Sequence, residues 1–354
     1  MKDRIVLAYA GDGGTSAVIP LLAGEYDAEV VTLTLDLGQG RDLEDIRDRA
    51  LAGGAARAHV LDVREEFARD FVLPALQAGA LHEGRDPMAA ALARPLMVKT
   101  LLQVASIEQA MAIAHGCTGM DQARMDASAQ ALNPDIRVIA AARAGALPHP
   151  THTNLWGRAY TVTKAQSSNP KSQIPNPKSQ IPNPESQIRT PGPRSQSGAE
   201  APDTPAYIEI AFERGVPAAI NGVPMTLTEL IESVSIIAGQ HGVGRIAATE
   251  SDADGALLRH VYEAPAALVL HAAHAALEAS VLPPDVKRIK ADRATDYARL
   301  VWNGLWFSAA REEMDALNAR AQEGVTGSVR IKLFKGTLLT SETAELDHAA
   351  VPRA

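Results

Sequence analysis

The ten residues Leu7-Ala8-Tyr9-Ala10-Gly11-Asp12-Gly13-Gly14-Thr15-Ser16 constrain the fold more than any other stretch of this chain. A short apolar run, Arg4 to Leu7, precedes the turn and reads as a first β-strand, and Ala17 to Ala23 after it reads as the start of a helix. A strand, a glycine-rich turn and the hydroxyls of Thr15 and Ser16 at a helix N-terminus make a site suited to an anion. Backbone N–H groups point outward there and the helix dipole favours negative charge. The same spacing also suits a tight βα turn that binds nothing, because short glycine motifs recur by chance.

Strand and helix signals alternate from this point. Glu29–Leu35 is apolar and β-branched, as a buried parallel strand is, and Ala58–Leu61, Ala112–His115 and Arg137–Ala141 supply three more strand candidates. Helical patterns fill the intervals at Leu43–Leu51, Arg64–Gln77 and Arg94–Glu108. Such alternation predicts a doubly wound parallel sheet with helices on both faces, an α/β fold. Ligands of such sheets bind at the carboxyl ends of the strands. The opening glycine turn sits at one such end and Gly116-Cys117-Thr118-Gly119 at another.

The middle of the chain breaks this order. Asn169 to Gln187 repeats with a period of seven, NPKSQIP, NPKSQIP, NPESQI. The two prolines in each full copy exclude a continuous helix, so the heptad is not a coiled coil. Residues 166–204 are expected to form an extended, solvated linker of polyproline character between a nucleotide-binding domain at 1–165 and a second domain at 205–354. Ala206–Phe212 alternates as a strand, and Thr226-Leu227-Thr228-Glu229 is a capping box opening a helix through Ala238. Helices follow at Pro265–Ser280, Ala294–Asn303 and Ala309–Gln322, with a last strand at Gly327–Phe334, so the second domain reads as α+β.

Charge and composition narrow the function. The 34 basic and 42 acidic residues leave a net charge of -8, against a nucleic-acid partner, which needs clustered Lys and Arg. No uninterrupted apolar run reaches membrane-spanning length and no signal pattern opens the chain, so we expect a cytoplasmic protein without a membrane partner. The single cysteine, Cys117, forms no intrachain disulfide.

Several blocks, in order along the chain, carry a family resemblance. They are Ala8-Tyr9 with the glycine turn, Thr34-Leu35-Asp36-Leu37-Gly38-Gln39-Gly40, His115-Gly116-Cys117-Thr118-Gly119, and Asp121-Gln122 with Arg124. Asn154-Leu155-Trp156-Gly157-Arg158, His241-Gly242-Val243-Gly244-Arg245, Val261-Tyr262-Glu263-Ala264-Pro265, Asn303-Gly304-Leu305-Trp306 and Leu333-Phe334-Lys335-Gly336 continue the series. The chain resembles the argininosuccinate synthase family. The resemblance implies an ATP-pyrophosphatase-like first domain and an ATP-dependent ligation of citrulline to aspartate in arginine biosynthesis. ATP would enter with Mg²⁺, the citrulline ureido oxygen would form a citrullyl-adenylate with loss of pyrophosphate, and aspartate would displace AMP. It further implies a homotetramer, although the tail that locks it is largely missing after Gly336.

Residue by residue, the resemblance places Ala8, Tyr9, Ala10, Gly11, Asp12, Gly13, Gly14, Thr15 and Ser16 on the pyrophosphate loop, with Leu35 and Gly116 as further nucleotide contacts. Thr118 and Asp121 fall where aspartate is held, and Arg124, Glu250 and Tyr262 where citrulline is held. A protein metal ligand is not implied. The chain also departs from the family. Its loop lacks a serine at Ala10 and a carboxylate at Gly14, and carries an unexpected one at Asp12. Thr118-Gly119-Met120-Asp121-Gln122 is shorter than the family's Thr-Gly-Lys-Gly-Asn-Asp-Gln, without its lysine and asparagine. Asp86 stands where a citrulline-binding tyrosine is expected. Two functions follow as expectations: the ligase itself, or an impaired copy that retains nucleotide or amino-acid binding.

Smaller features read as structural. His271 and His274 have a spacing that suits a metal, but no third ligand lies near in sequence, so packing is the expectation. Cys117 has no sequence partner for nucleophilic catalysis. Glu250-Ser251-Asp252-Ala253-Asp254 lacks a full calcium-loop pattern and reads as a surface turn.

Overall fold

A computed structural model describes residues 2–11, 13–40, 42–141, 152–162, 195, 200–251 and 257–341. Asp12 lies outside these, as do the repeat, Asp252 and Asp254; at Glu250 the backbone alone is described.

The first half builds a five-stranded sheet from β1 (Arg4–Ala8), β2 (Glu29–Asp36), β3 (Arg57–Asp62), β4 (Ala112–His115) and β5 (Arg137–Ala140), in the order β3-β2-β1-β4-β5 and parallel throughout. The order reverses between β1 and β4, which places a crevice at their carboxyl ends. Successive side chains of a strand point to opposite faces. Ile5 and Leu7 of β1 pack with Val18, Ile19 and Leu22 of α1 (Gly13–Tyr26) and Ile46 of α2 (Leu43–Ala52). Val6 and Ile113 face the other way, onto α5 (Ala89–Glu108) and α6 (Gly119–Leu132), and that core runs on into the second half of the chain.

Two antiparallel sheets complete the molecule. β8 (Ala206–Glu213), β9 (Val216–Ile220), β10 (Val223–Pro224), β13 (Gly327–Phe334) and β14 (Thr337–Ser341) are ordered β10-β9-β8-β13-β14. The smaller sheet, β11-β12-β7-β6, draws β6 (His152–Asn154) and β7 (Gly157–Val162) from before the repeat and β11 (Arg245–Ser251) and β12 (Leu257–Glu263) from after it. The capping box is formed: Glu229 N–H donates to Thr226 Oγ1 at 3.3 Å and Thr226 N–H to Glu229 Oε2 at 2.9 Å, opening α7 (Leu227–Gln240).

The observed elements differ from expectation in instructive places. α5 starts at Ala89 rather than Arg94 and carries Pro95 within it. Its length and composition would suit a bilayer, but 61% of its apolar window is buried inside the fold. The run from Arg64 to Gln77 is α3 (Arg64–Phe67), a π-helical turn (Ala68–Val72) and α4 (Leu73–Gln77). α9 (Pro284–Trp302) begins ten residues before the expected start, and α8 (Pro265–Val281) and α10 (Ala309–Gln322) lie close to where they were expected. Ser195 and Ala201, in the stretch expected to be solvated, are buried.

Candidate active site

The carboxyl ends of β1, β2 and β4 open onto a cavity of about 500 Å³. Ala8, Tyr9, Ala10 and Thr15 line it from the β1–α1 connection, Leu35 from β2, and Gly116, Cys117 and Thr118 from the loop after β4. Asp121 and Arg124 of α6 and Tyr262 of β12 join the same wall. Gly11 and Ser16 stand behind it. Gly11 has φ +73, and a Cβ there would lie 2.7 Å from Ile46 Cγ1, so neither its conformation nor its packing leaves room for a side chain. Arg49 Nη1 donates to the Gly11 carbonyl at 2.7 Å, Thr34 Oγ1 to the Tyr9 carbonyl at 3.0 Å, and the Tyr9 and Ser16 hydroxyls share a hydrogen bond of 2.7 Å. Three contacts therefore hold the turn in one shape. Gly13 and Gly14 open α1, whose first turn carries no acidic residue.

At the other end of the cavity a nearly dry charge cluster is assembled from two helices. Arg94 Nη2 donates to Asp121 Oδ2 at 2.9 Å, and Arg124 Nη1 donates to Asp121 Oδ1 at 2.6 Å. The three residues are 8%, 9% and 4% exposed. Burial is the largest influence on both arginines and lowers their pKa. It prevails at Arg124, whereas at Arg94 the neighbouring Cys117 and Asp121 outweigh it and the net shift is upward. Both stay cationic at any working pH.

Arg124 is fixed from the far side by the end of α9. Its Nε donates to the Trp302 carbonyl, and its guanidinium lies over the Trp302 indole. His82 stacks on that indole at 3.8 Å with the rings 1° from parallel. Gly304, at φ +77, lets the backbone after α9 approach: a Cβ there would lie 2.6 Å from Arg124 Cα.

Arg94, Asp86 and Trp302 also line the cavity; the sequence pointed to Asp86 only as a departure from an expected tyrosine, and neither Arg94 nor Trp302 was read from it as a candidate. Arg94 left a trace, since it is the one charge in the apolar run Ala89 to Met97. Trp302 left none, because its place is set by packing between residues far apart in sequence. Asp86 is half-buried, and burial raises the pKa of its carboxyl. Cys117 is half-buried, and burial likewise pushes its thiol up, away from the thiolate a nucleophile needs.

Beside the cavity, the fully buried Glu263 accepts from Arg158 Nε at 2.6 Å, Arg245 Nη2 at 2.8 Å and Ser195 Oγ at 3.3 Å. His271 and His274 are buried in α8. His274 Nε2 lies 2.9 Å from Gln322 Oε1 and the His271 ring packs at 5.9 Å on Trp156. Among the described residues no group of three His, Cys, Asp or Glu side chains is placed to hold a metal ion.

Comparison with known proteins agrees with this architecture. Residues 4–168 match the family "Arginosuccinate synthase N-terminal HUP domain", and residues 193–345 match "Arginosuccinate synthase C-terminal domain". The argininosuccinate synthase of Acaryochloris marina is 42% identical over 351 residues, covering 94% of this chain and 86% of that protein. That of Symbiobacterium thermophilum is 42% identical over 361 residues, covering 95% and 86%. That of Dehalococcoides mccartyi is 39% identical over 346 residues, covering 95% and 85%. A parallel sheet with its crevice at the β1/β4 reversal, two domain matches that take in most of the chain and relatives aligned along nearly all of it lead to one conclusion: this chain belongs to the argininosuccinate synthase family of ligases.

Proposed function

We propose that the chain joins citrulline to aspartate at the expense of ATP. The ureido oxygen of citrulline attacks the α-phosphorus, the bond to pyrophosphate breaks, and the aspartate amine then displaces AMP from the ureido carbon. The observation that carries this reading is the continuity of one cavity from the β1–α1 turn to the Arg94–Asp121–Arg124 cluster. A turn at a helix N-terminus suits a polyphosphate, and a fixed guanidinium suits a carboxylate.

In this reading residues 8–16 hold the pyrophosphate part of ATP through main-chain N–H groups, and Leu35 and Gly116 flank the nucleoside. The two loops are close enough: a Cβ on Gly116 would lie 3.7 Å from Thr15 Cγ2. Thr118 and Asp121 hold aspartate, and Arg124, Glu250 and Tyr262 hold citrulline. Positioning the reactants in line supplies most of the rate in such a transfer. The described residues offer no ligating cluster for the Mg²⁺ that accompanies ATP, so no step is assigned to it. A cytoplasmic setting, the domain limits at 165 and 205 and a tetramer belong to the same proposal.

A second reading is favoured by one observation. Ala10 presents a methyl group to the cavity where the family resemblance puts a hydroxyl. Asp12 in the same turn adds a negative charge, and a carboxylate 4 Å from a phosphate is repelled by about 4 kcal/mol at an effective dielectric of 20. That reading is a slowed or inactive enzyme that still binds nucleotide or amino acid.

Pyrophosphate release with ATP, Mg²⁺ and citrulline, with and without aspartate, separates the two. Citrulline-dependent release that aspartate accelerates, at a rate within about tenfold of the relatives' enzymes, supports the first reading and ends the second. ATP binding without release leaves the second.

A further inference from the structure

Gln39 lines the cavity beside Leu35 and Leu37, and its side chain folds back onto the strand end that carries them. Its Nε2 donates to the Leu35 carbonyl at 2.6 Å, and its Oε1 accepts from the Leu37 N–H at 2.7 Å. One carboxamide therefore bridges a backbone acceptor and a backbone donor, and those two partners fix which end of the amide is which.

Other contacts hold this stretch in shape without Gln39. Val63 N–H donates to the Asp36 carbonyl at 3.1 Å, Gly38 N–H to Asp36 Oδ1 at 2.9 Å, and Leu155 N–H to the Leu37 carbonyl at 2.5 Å. Alternate residues of a strand turn their backbone polar groups to opposite neighbours. The Asp36 carbonyl faces the β3 side, so that of Leu35 faces the β1 side, where β1 has already ended at Ala8 and the cavity opens. Leu35 and Leu37 are each 7% exposed. Buried backbone groups in such a wall need a partner, and Gln39 supplies one from within the chain.

A carboxamide carries its NH₂ donor and its acceptor on one sp² carbon. Adenine does the same along its Watson–Crick edge, where one ring carbon bears the amino donor and adjoins the N1 acceptor. We infer that Gln39 is an internal stand-in for the adenine edge: its carboxamide occupies the Leu35 carbonyl and the Leu37 N–H in the empty chain, and a nucleotide binds by displacing it. The inference rests on the nucleotide reading of the cavity proposed above. Gln39 then sets base specificity by competition. A base with a donor beside an acceptor replaces both hydrogen bonds and releases the amide to solvent. A base that lacks one of the two leaves Gln39 in place or strands a buried backbone group. The apparent affinity for nucleotide falls by the fraction of chains in which the amide is folded back.

Calorimetric titration of the full chain with ATP and Mg²⁺, and with the triphosphate of purine riboside, which lacks the amino group of adenine, tests this. The wild-type chain should bind ATP about tenfold or more tightly than the analogue. Gln39→Ala should bind ATP about threefold or more tightly than the wild type, because nothing has to be displaced. Gln39→Ser, too short to bridge both groups, carries the same expectation where Gln39→Ala fails to fold; thermal unfolding without ligand is the check on both. Unchanged or weaker ATP binding by a folded variant makes Gln39 a fixed brace of the loop and overturns the inference. Equal binding of the two triphosphates by the wild-type chain, which needs no variant, also overturns it. Either result leaves the proposed function standing. A wild-type chain that binds neither triphosphate overturns the proposed function and this inference with it.

Discussion

Arg124 Nε donates to the main-chain carbonyl of Trp302 at 2.7 Å, and the Arg124 guanidinium sits 4.4 Å from the centre of the Trp302 indole. One residue of α6 is thus aimed by the last residue of α9, 178 positions later in the chain. Trp302→Leu removes the indole face and the His82 stack but keeps the carbonyl. A cation–π contact shielded from water contributes about 1–2 kcal/mol. The citrulline KM should rise by about tenfold while the ATP KM stays within about twofold, and Trp302→Phe should recover most of the loss. Steady-state kinetics with each substrate varied in turn checks this; equal changes in both KM values would assign Trp302 a purely structural role.

The β1–α1 turn yields a gain-of-function prediction. Restoring the family's groups with Ala10→Ser, Asp12→Gly and Gly14→Asp together should raise citrulline-dependent pyrophosphate release by about tenfold or more, since single phosphate-side donors carry factors of that size or larger. An unchanged rate would count against the reading of this turn as the seat of a slowed enzyme, the shortened Thr118–Gln122 loop being the next to alter.

Glu263 concentrates the stability of the small sheet. Removing its charge takes from Arg158, 8% exposed, the buried ion pair it makes with Glu263. Glu263→Ala should destabilise by about 3–5 kcal/mol, the usual cost of breaking a buried pair from one side. The paired change Glu263→Met with Arg158→Met should cost much less, because no buried charge is stranded. Urea midpoints of the single and double variants decide the matter. Arg245 has more exposure and tolerates the loss, so it is not needed in the test.

His271 makes stability depend on pH in a stated direction. Burial, followed by the neighbouring His274, pushes its pKa down to about 3, against about 6.5 in the unfolded chain. The folded state binds fewer protons, so the contribution of His271 is complete above about pH 6.5 and is lost as pH falls towards 3. Between pH 7 and pH 5 the loss is about 2 kcal/mol. His115 and His274, also shifted down chiefly by burial, act in the same direction. His271 Nε2 has no hydrogen-bond partner among the described residues, so His271→Leu strands nothing. That variant should lose about 2 kcal/mol less than wild type over this interval, measured by urea unfolding at the two pH values. Parallel losses would mean that His271 is protonated in the folded state.

The parallel sheet was legible because its inner strands β1, β2 and β4 are nearly continuous apolar runs, as burial on both faces requires. β6, β7, β11 and β12 were not legible: their partners lie up to about 100 residues away, and His152-Thr153-Asn154 has no alternating pattern of its own. α6 was hidden by its composition. Residues Gly119 to Leu132 mix Asp, Gln, Arg and Ser with Ala on every face, and the buried side includes Asp121, Arg124 and Ser128. A helix that buries its charges into a site does not look amphipathic, and for that reason the part of the fold nearest the cavity was the least readable. The start of α9 was obscured by the charged segment Asp285 to Arg293, and that of α5 by the proline at position 95. Family resemblance reached the candidate residues on motif-bearing loops, but not Trp302, which matters through a contact rather than a motif.

Glu263 has one more consequence. Its carboxylate holds Arg158 of β7 on one side of the heptapeptide repeat and Ser195 on the other. Glu263 thus ties together two residues that flank the repeat in sequence. For a chain excursion between two fixed ends, closure entropy grows only with the logarithm of its length. Gaining or losing one seven-residue copy changes that entropy by roughly 0.2 kcal/mol. Copy number is therefore almost neutral for folding, and the segment can lengthen or shorten between generations without the catalytic framework registering the change.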